Sequence, residues 1–431
     1  MTYPLPPYAP APLATPEQLA LEDKSRELWE HPRVKGALAK SKMLMRAGYG
    51  IDVPAAVVDR FDAAMDEYAF SYVERVLCRD RNNFCVHYTC HPPFTRPHGK
   101  LVPGCRFYGE NPEVVYRWGG IHPDRHQRLV CRPVGPATAA TSFSLMGTYG
   151  GTTPGASVDL HKLDRESDGS VVVSIDSSPA NGRANHLQTT PGTRLILIRE
   201  FLGDWATEMP LAMTLEADGV VRGGPWDVDA ALADICYFMV EELYLYFWMN
   251  HLYRNLGPNT VKGPDAAAAM GGSASMATSQ GFLQFAEDEA VVLDWDPAGA
   301  KLSCISALDW WFQPIEAHRM QSSLNNFGAS VNADGTITAV VAVEDPGIVN
   351  WIETNRLRDV LLTGRWQSLP EQPQRQGPKL RARLVKVSEL QTALPKGAER
   401  CSPQERKERN ARRLAAYTRR TGNNDSRFGA P

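Results

Sequence analysis

The sequence predicts an α+β protein: two tandem antiparallel β-sandwich modules of jelly-roll type, with an N-terminal helical region, a long central helix and a C-terminal helix. Three observations carry this. The chain has 431 residues, beyond the ~250–300 at which one hydrophobic core stops growing. Strand texture, meaning short β-branched or aromatic runs broken by Gly, Pro, Asn and Asp, fills two long stretches separated by an apolar helical segment. One set of landmarks also occurs twice in the same order, once in each stretch.

Residues 1–78 read as helical. After a Pro-rich start, Thr15-Pro16-Glu17-Gln18 supplies an N-cap, a Pro at the first helical position and a Gln at the third. Helical periodicity then runs to about Leu77, with a break near Gly48-Tyr49-Gly50. Residues 79–217 carry the first β-module. In 218–280, Asp227 to Leu256 reads as one long helix stopped by Gly257-Pro258, and the small-residue stretch 259–280 as a loop or mobile flap. Strand texture returns over 281–390. In the basic tail, 391–431, Ser402-Pro403-Gln404-Glu405 forms a capping box for a helix ending near Gly422.

The repeat is tested by spacing. NHLQT (Asn185–Thr189) and NWIET (Asn350–Thr354) share a pattern in which His186 stands where the second copy has Trp351. Each follows an Asp-Gly turn, Asp168-Gly169 or Asp334-Gly335, and each precedes an Arg in an apolar strand, Arg199 or Arg365. Asp and Arg are 31 residues apart in both copies, while Asn follows Asp by 17 residues in the first and 16 in the second. An Arg on a strand suited to burial needs acceptors, and the Asn and Glu/Gln of the neighbouring motif could supply them as a clamp.

A net charge of −3 argues against nucleic acid or an anionic membrane surface as partner. Lys396–Arg420 has nine Lys/Arg against three Glu, a basic end on an acidic body that reads as a solvated helix or a subunit contact. Neither a basic n-region nor an apolar h-region opens the chain, so a cytoplasmic location with reduced cysteines is expected. The most apolar stretch has 11 residues without formal charge, Leu243–Tyr253, short of the ~20 that span lipid.

For chemistry, His318 is the general acid/base candidate, with Asp345 or Glu353 to orient it and His186 as partner. Arg199, Arg365 and Asn350 would hold substrate oxygens, and Trp351, Trp310 and Trp311 would supply aromatic walls. The stretch Cys78–Cys105 packs seven potential ligands into 28 residues. Its spacing, Cys85-x-His87-x-x-Cys90-His91 without a second CxxC, falls short of a zinc signature, so neither metal nor organic cofactor is expected. GxSxG is absent, and the Gly-rich pieces at Gly150 and Gly271 lack the strand-to-helix context of a nucleotide site.

The run from EDEAVVLDWDP through ALDWWFQPIEAHRMQSSLNNFG, the DG turn, DPGIVNW and TGRW resembles the C-terminal module of the bacterial domain-of-unknown-function family numbered twelve-fourteen, over about residues 285–370. The upstream ENPEVVYRW, DG turn and REFLGDW are similar to the companion module of such proteins. The resemblance implies a double β-sandwich or jelly roll with helical additions and assigns no activity. The Cys/His-rich 78–105 segment departs from that pattern.

Two functions follow as expectations. The first is an enzyme acting on a hydrophobic or aromatic small molecule by cofactor-independent acid/base chemistry, as a lyase, hydrolase or isomerase, with its pocket between the modules and under the flap. The second is a non-catalytic ligand-binding or assembly protein, able to form a homo-oligomer, with an Arg–Asn clamp in each module.

Overall fold

The computed structural model describes residues 11–49, 53, 55–96, 99–106, 109–151, 153–220, 222–266 and 275–422. The first ten residues, Gly50, His98 and the glycines at 271–272 therefore lie outside the described residues. Helix α1 (Pro16–Trp29) opens as its sequence dictates, with the Thr15 hydroxyl accepting the Gln18 N–H. Helices α2 (Pro32–Tyr49), α3 (Ala55–Val58) and α4 (Phe61–Leu77) follow, and α4 is buried nearly all round at the centre of the helical layer.

The first module is a two-sheet sandwich. Strands β1 (Val86–Thr89), β4 (Val114–Gly120), β10 (Leu195–Phe201), β6 (Ala140–Met146) and β7 (Pro154–Asp159) form a five-stranded sheet in that order. Strands β11 (Ala212–Ala217), β5 (Gln127–Arg132), β8 (Val171–Asp176) and β9 (His186–Gln188) form the four-stranded one. A small hairpin, β2 (Phe94–Thr95) and β3 (Leu101–Val102), lies between β1 and β4. Alternation along the strands sends Phe143, Ile196 and Ile198 from one sheet, and Leu129, Val173 and Ile175 from the other, into a common core.

The second module repeats this strand for strand. Strands β12 (Thr260–Ala266), β13 (Ala277–Gln284), β19 (Asp359–Gln367), β15 (Leu302–Leu308) and β16 (Ser323–Asn325) make its five-stranded sheet. Strands β20 (Lys379–Lys386), β14 (Glu289–Asp296), β17 (Ile337–Ala342) and β18 (Trp351–Glu353) make the other. NHLQT and NWIET are the equivalent strands β9 and β18, and the one-residue offset falls in the loop before each. Ser174 pairs with His186 where Val340 pairs with Trp351. The Asp-Gly turns match too: Gly169 and Gly335 take φ of +80° and +82°, open to Gly without strain.

Three expectations are corrected. The sheets are not wholly antiparallel, because β9 and β18 each pair in parallel with the strand before them. The central helix is two: α5 (Val228–Glu242) and α6 (Tyr244–Arg254) meet at the buried Leu243. Their ends are anchored on different modules, Glu242 accepting the Gly150 N–H and Asn250 donating to the Trp310 carbonyl. The expected flap is partly sheet, since Thr260–Ala266 pairs with β13 as an edge strand, and the second module therefore starts well before residue 281.

The five-stranded sheets of the two modules turn their outer faces toward one another. Val114 and Phe201 of the first meet Met276, Leu302 and Cys304 of the second. Elsewhere the helices occupy the same faces, where Trp118, Leu195 and Leu197 share one apolar cluster with Phe282, Leu308 and Leu361. After the short α7 (Leu390–Ala393), helix α8 (Pro403–Thr421) starts on its Ser402–Glu405 capping box and stops at Gly422 in the left-handed region. No helix among the described residues is long and apolar enough to cross a membrane.

Candidate functional site

The basic C-terminal helix is a strap across both modules. Arg406, Arg409, Arg413 and Arg420 recur along the helix, and each of these four finds a partner within the chain. Arg406 bonds Asp345 at 3.0 Å and the Ile348 carbonyl, and its guanidinium lies 5.2 Å from the Trp351 ring. Arg413 donates to Glu113 at 2.8 Å and Ser323 at 2.6 Å and stacks 3.8 Å over Trp205, and Arg420 donates to the Trp205 carbonyl at 2.7 Å. The solvated or subunit-contacting helix expected from charge is thus an intramolecular clamp on its arginine face.

Glu113 is the polar centre of this junction. Its carboxylate is 1 % exposed and accepts from Arg413, Ser323, Asn325 (2.8 Å) and the Trp205 indole (2.5 Å). Four donors from both modules and α8 offset the desolvation of one buried charge. Asn325 also donates to the Leu202 and Gly203 carbonyls at 3.0 and 2.9 Å.

Two hollows share Trp205 as a wall. The smaller one, about 60 Å³, lies between Tyr88, Pro92 and Tyr116 on one side and Pro314, Glu316, Ala317, His318 and Tyr417 on the other. Its polar edge is a buried ion network in which Arg106 pairs with Glu67 at 2.6 Å and Glu316 at 3.1 Å. The open one is a cleft of about 380 Å³ bounded by Trp205, Phe327, Asn325, Arg409, Arg412 and Arg413. No described residue of the expected flap lines either hollow; α8 lines both.

The expected catalytic residues are not brought together. His318 does line the smaller hollow. Burial pushes its pKa down to about 4, opposed by the Glu316 carboxylate 3.9 Å away, so it is neutral at pH 7 and far from the near-neutral titration expected of it. His186 sits on the first module's four-stranded sheet, its Nδ1 2.9 Å from the Ser174 hydroxyl and its Nε2 2.8 Å from the Ser178 carbonyl. Asp345 is engaged by Arg406 and by the Gly347 N–H. Glu353, whose pKa burial raises, lies near Arg406 and Asp345.

The Arg–Asn clamps are corrected as well. Arg199 donates to Ser144 at 3.3 Å, and Arg365 to Thr278 and to the Gly364 carbonyl, beside the Tyr253 hydroxyl. Both point to the outer sheet face, because on β10 the core side belongs to Ile196 and Ile198 and on β19 to Leu362 and Trp366. The two Asn residues instead hold loops. Asn185 bonds both the N–H and carbonyl of Asp164, 21 residues earlier, and Asn350 does the same to Ser330, 20 residues earlier, while also reaching the Thr338 carbonyl.

Trp310, Trp311 and Trp351 line neither hollow. Trp311 donates to the Val57 carbonyl and packs edge-on against Phe61, Trp310 packs under Arg254, and Trp351 donates to the Ala342 carbonyl. Sequence reading missed Glu113, Arg409, Arg412 and Arg413. The helical spacing of the arginines was visible, but nothing local named their partners. Among the described residues of the Cys/His-rich segment, the donors that converge are His91 and Cys105, with Glu74, and Cys85, His87 and Cys90 do not join them.

No family model and no curated protein matches this sequence. Among solved structures, an uncharacterised protein from Burkholderia cenocepacia superposes with a TM-score of 0.67 at 22% identity, covering 85% of this chain and 99% of that one. The VPA0106 protein from Vibrio parahaemolyticus gives a TM-score of 0.40 at 9% identity over 74% of this chain and 98% of its own. The first likeness is one of fold.

Proposed function

We propose that this protein binds a small anionic molecule with an apolar or aromatic body in the cleft under α8. The observation that carries the reading is unbalanced positive charge on that cleft. Arg409 donates only to neutral oxygens, Gln321 Oε1 at 3.3 Å and the Gly328 carbonyl at 2.8 Å. Arg412 is exposed and, among the described residues, makes neither a hydrogen bond nor an ion pair. Of the acidic groups on the wall, Glu113 is saturated by its donors, and Asp204 caps its own turn through Ala206 and Thr207.

Burial and the neighbouring Arg406 and Arg412 hold the Arg409 pKa below its ordinary value, so a carboxylate or phosphate here relieves like-charge crowding. Trp205 and the half-exposed Phe327 provide apolar walls. Two facts support binding over acid/base catalysis. His318 and His186 are engaged at separate places, and a general base with a pKa near 4 is a weak one at pH 7.

The test is calorimetric titration with benzoate and phenyl phosphate against neutral benzamide. Anions are expected to bind and benzamide not, and Arg409→Gln and Arg412→Gln are each expected to weaken anion binding about tenfold, the scale of one charge-assisted hydrogen bond. Equal binding of benzamide, or unchanged affinity in both variants, would defeat the proposal.

A further inference from the structure

We infer that Glu74, His91 and Cys105 form a binding site for a zinc-class divalent cation. Glu74 comes from the end of α4, His91 from just after β1 and Cys105 from just after β3. One ligand atom of each lies within 4.8 Å of the other two, and all three residues are fully buried. The Cys105 N–H donates to the His91 carbonyl at 2.9 Å, which holds those two backbones in place without any ion.

The hydrogen bonds assign the imidazole. His91 Nδ1 is 3.0 Å from the Pro92 carbonyl, and a carbonyl only accepts, so Nδ1 carries the proton and Nε2 keeps its lone pair. Nε2 is buried without a hydrogen-bond partner. An imidazole that donates one N–H to a backbone carbonyl and leaves the other nitrogen bare is how metal-binding histidines are held.

Glu74 has the complementary need. Both its carboxylate oxygens are buried without a hydrogen-bond partner of ordinary geometry, with the Glu22 carboxylate and the Cys105 thiol nearby. The nearby cations are committed elsewhere, Arg75 donating to the Tyr149 carbonyl (2.6 Å) and Ser71 (3.0 Å), and Arg96 to Glu22 (2.9 Å) and the Thr421 carbonyl. A buried carboxylate and a bare imidazole lone pair are each costly alone, and the Cys105 thiol, which shares a hydrogen bond with Thr89 (3.4 Å), completes the donor set.

A doubly charged cation answers all three at once, because thiolate and carboxylate bring the site to zero net charge. On binding, the thiol proton of Cys105 leaves to solvent, together with that of Glu74 where it carries one, and no electron is transferred. Sulfur and imidazole select zinc and its neighbours over magnesium or calcium, which take oxygen ligands. Three protein ligands leave a fourth coordination position. The ion would join α4 to the 86–105 segment, whose Tyr88, Cys90 and Pro92 form a wall of the smaller hollow.

The test loads the full chain with Zn²⁺, removes free metal and counts what remains by mass spectrometry, then substitutes Co²⁺ and records the electronic spectrum. About one equivalent is expected to stay, and the Co²⁺ form to show thiolate-to-metal charge transfer. Cys105→Ser is expected to abolish that absorption, His91→Gln to weaken retention at least tenfold, and Cys85→Ala, outside the cluster, to change neither. Wild-type protein that retains no Zn²⁺ and shows no charge transfer would overturn the site, as would retention undiminished in both ligand variants. Should Cys105→Ser not fold, the wild-type Co²⁺ spectrum decides the question by itself.

Discussion

The two modules share one strand order and differ in what covers the outer face of the four-stranded sheet. In the second, Ala290, Val292, Val340 and Ala342 join Ile348, Trp351 and Leu390 in a small additional core, and Arg406 of α8 lies over it. In the first, Ser174 stands in register where Val340 does, Asp176 where Ala342 does, and His186 replaces Trp351. That face stays half-exposed, and Arg183, not a helix, reaches across to Asp176 at 2.6 Å. The inner-face alternation common to both copies sets the topology; outer-face polarity then decides whether a sheet is capped or left in water.

If the strap couples the modules, its buried centre should matter more than any position inside one module. Glu113→Ala orphans four donors at once and is expected to cost about 3–5 kcal/mol in urea unfolding. A loss below about 1 kcal/mol would mean that the junction is carried by apolar contact alone. The Asn pair sharpens the comparison next. Asn350 is buried and makes three bonds, so Asn350→Ala is expected to cost about 2–3 kcal/mol, against about 1 kcal/mol for the half-buried Asn185→Ala. Equal losses would erase the burial distinction between the copies.

Arg406→Ala uncovers Trp351 and leaves Asp345 unpaired, and about 2 kcal/mol is expected, whereas Arg183→Ala in the other module should leave the urea midpoint where it is. Acid probes one further buried group. His318 has a folded-state pKa near 4, below its unfolded value of about 6.5, so the unfolded chain takes up the proton first. Its contribution is present above pH 6.5 and is lost as pH falls toward 4. His318→Gln is expected to flatten that decline by roughly 1–2 kcal/mol, measured as urea midpoints across the same range. The smallest effect belongs to Arg412→Gln, for which an unchanged melting temperature with weakened anion binding is expected; a stability loss would place Arg412 in the strap instead.

Much of the fold was legible. The Asp-Gly turns, the apolar alternation of SVVVSI and TITAVV, the one-residue loop difference, the Thr15 cap and the Ser402–Glu405 box are all local signals, and each marks a structural feature at its own position. Arg199 and Arg365 were misassigned because β10 and β19 are buried on both faces, so a period of two says that they alternate but not which side is the core. Trp310 and Trp311 looked like pocket walls and proved to be packing against α3, α4 and α6, which no spacing encodes.

By itself, then, the chain determined its elements and its duplication, since turns, caps and strand faces depend on residues a few positions apart. Only the tertiary structure decided the partners. Glu113 meets Arg413 across 300 residues, and Glu74 on a helix meets His91 and Cys105 on two separate loops. Which donor a buried carboxylate finds is settled by how sheets and helices pack, and that information is spread over the whole chain.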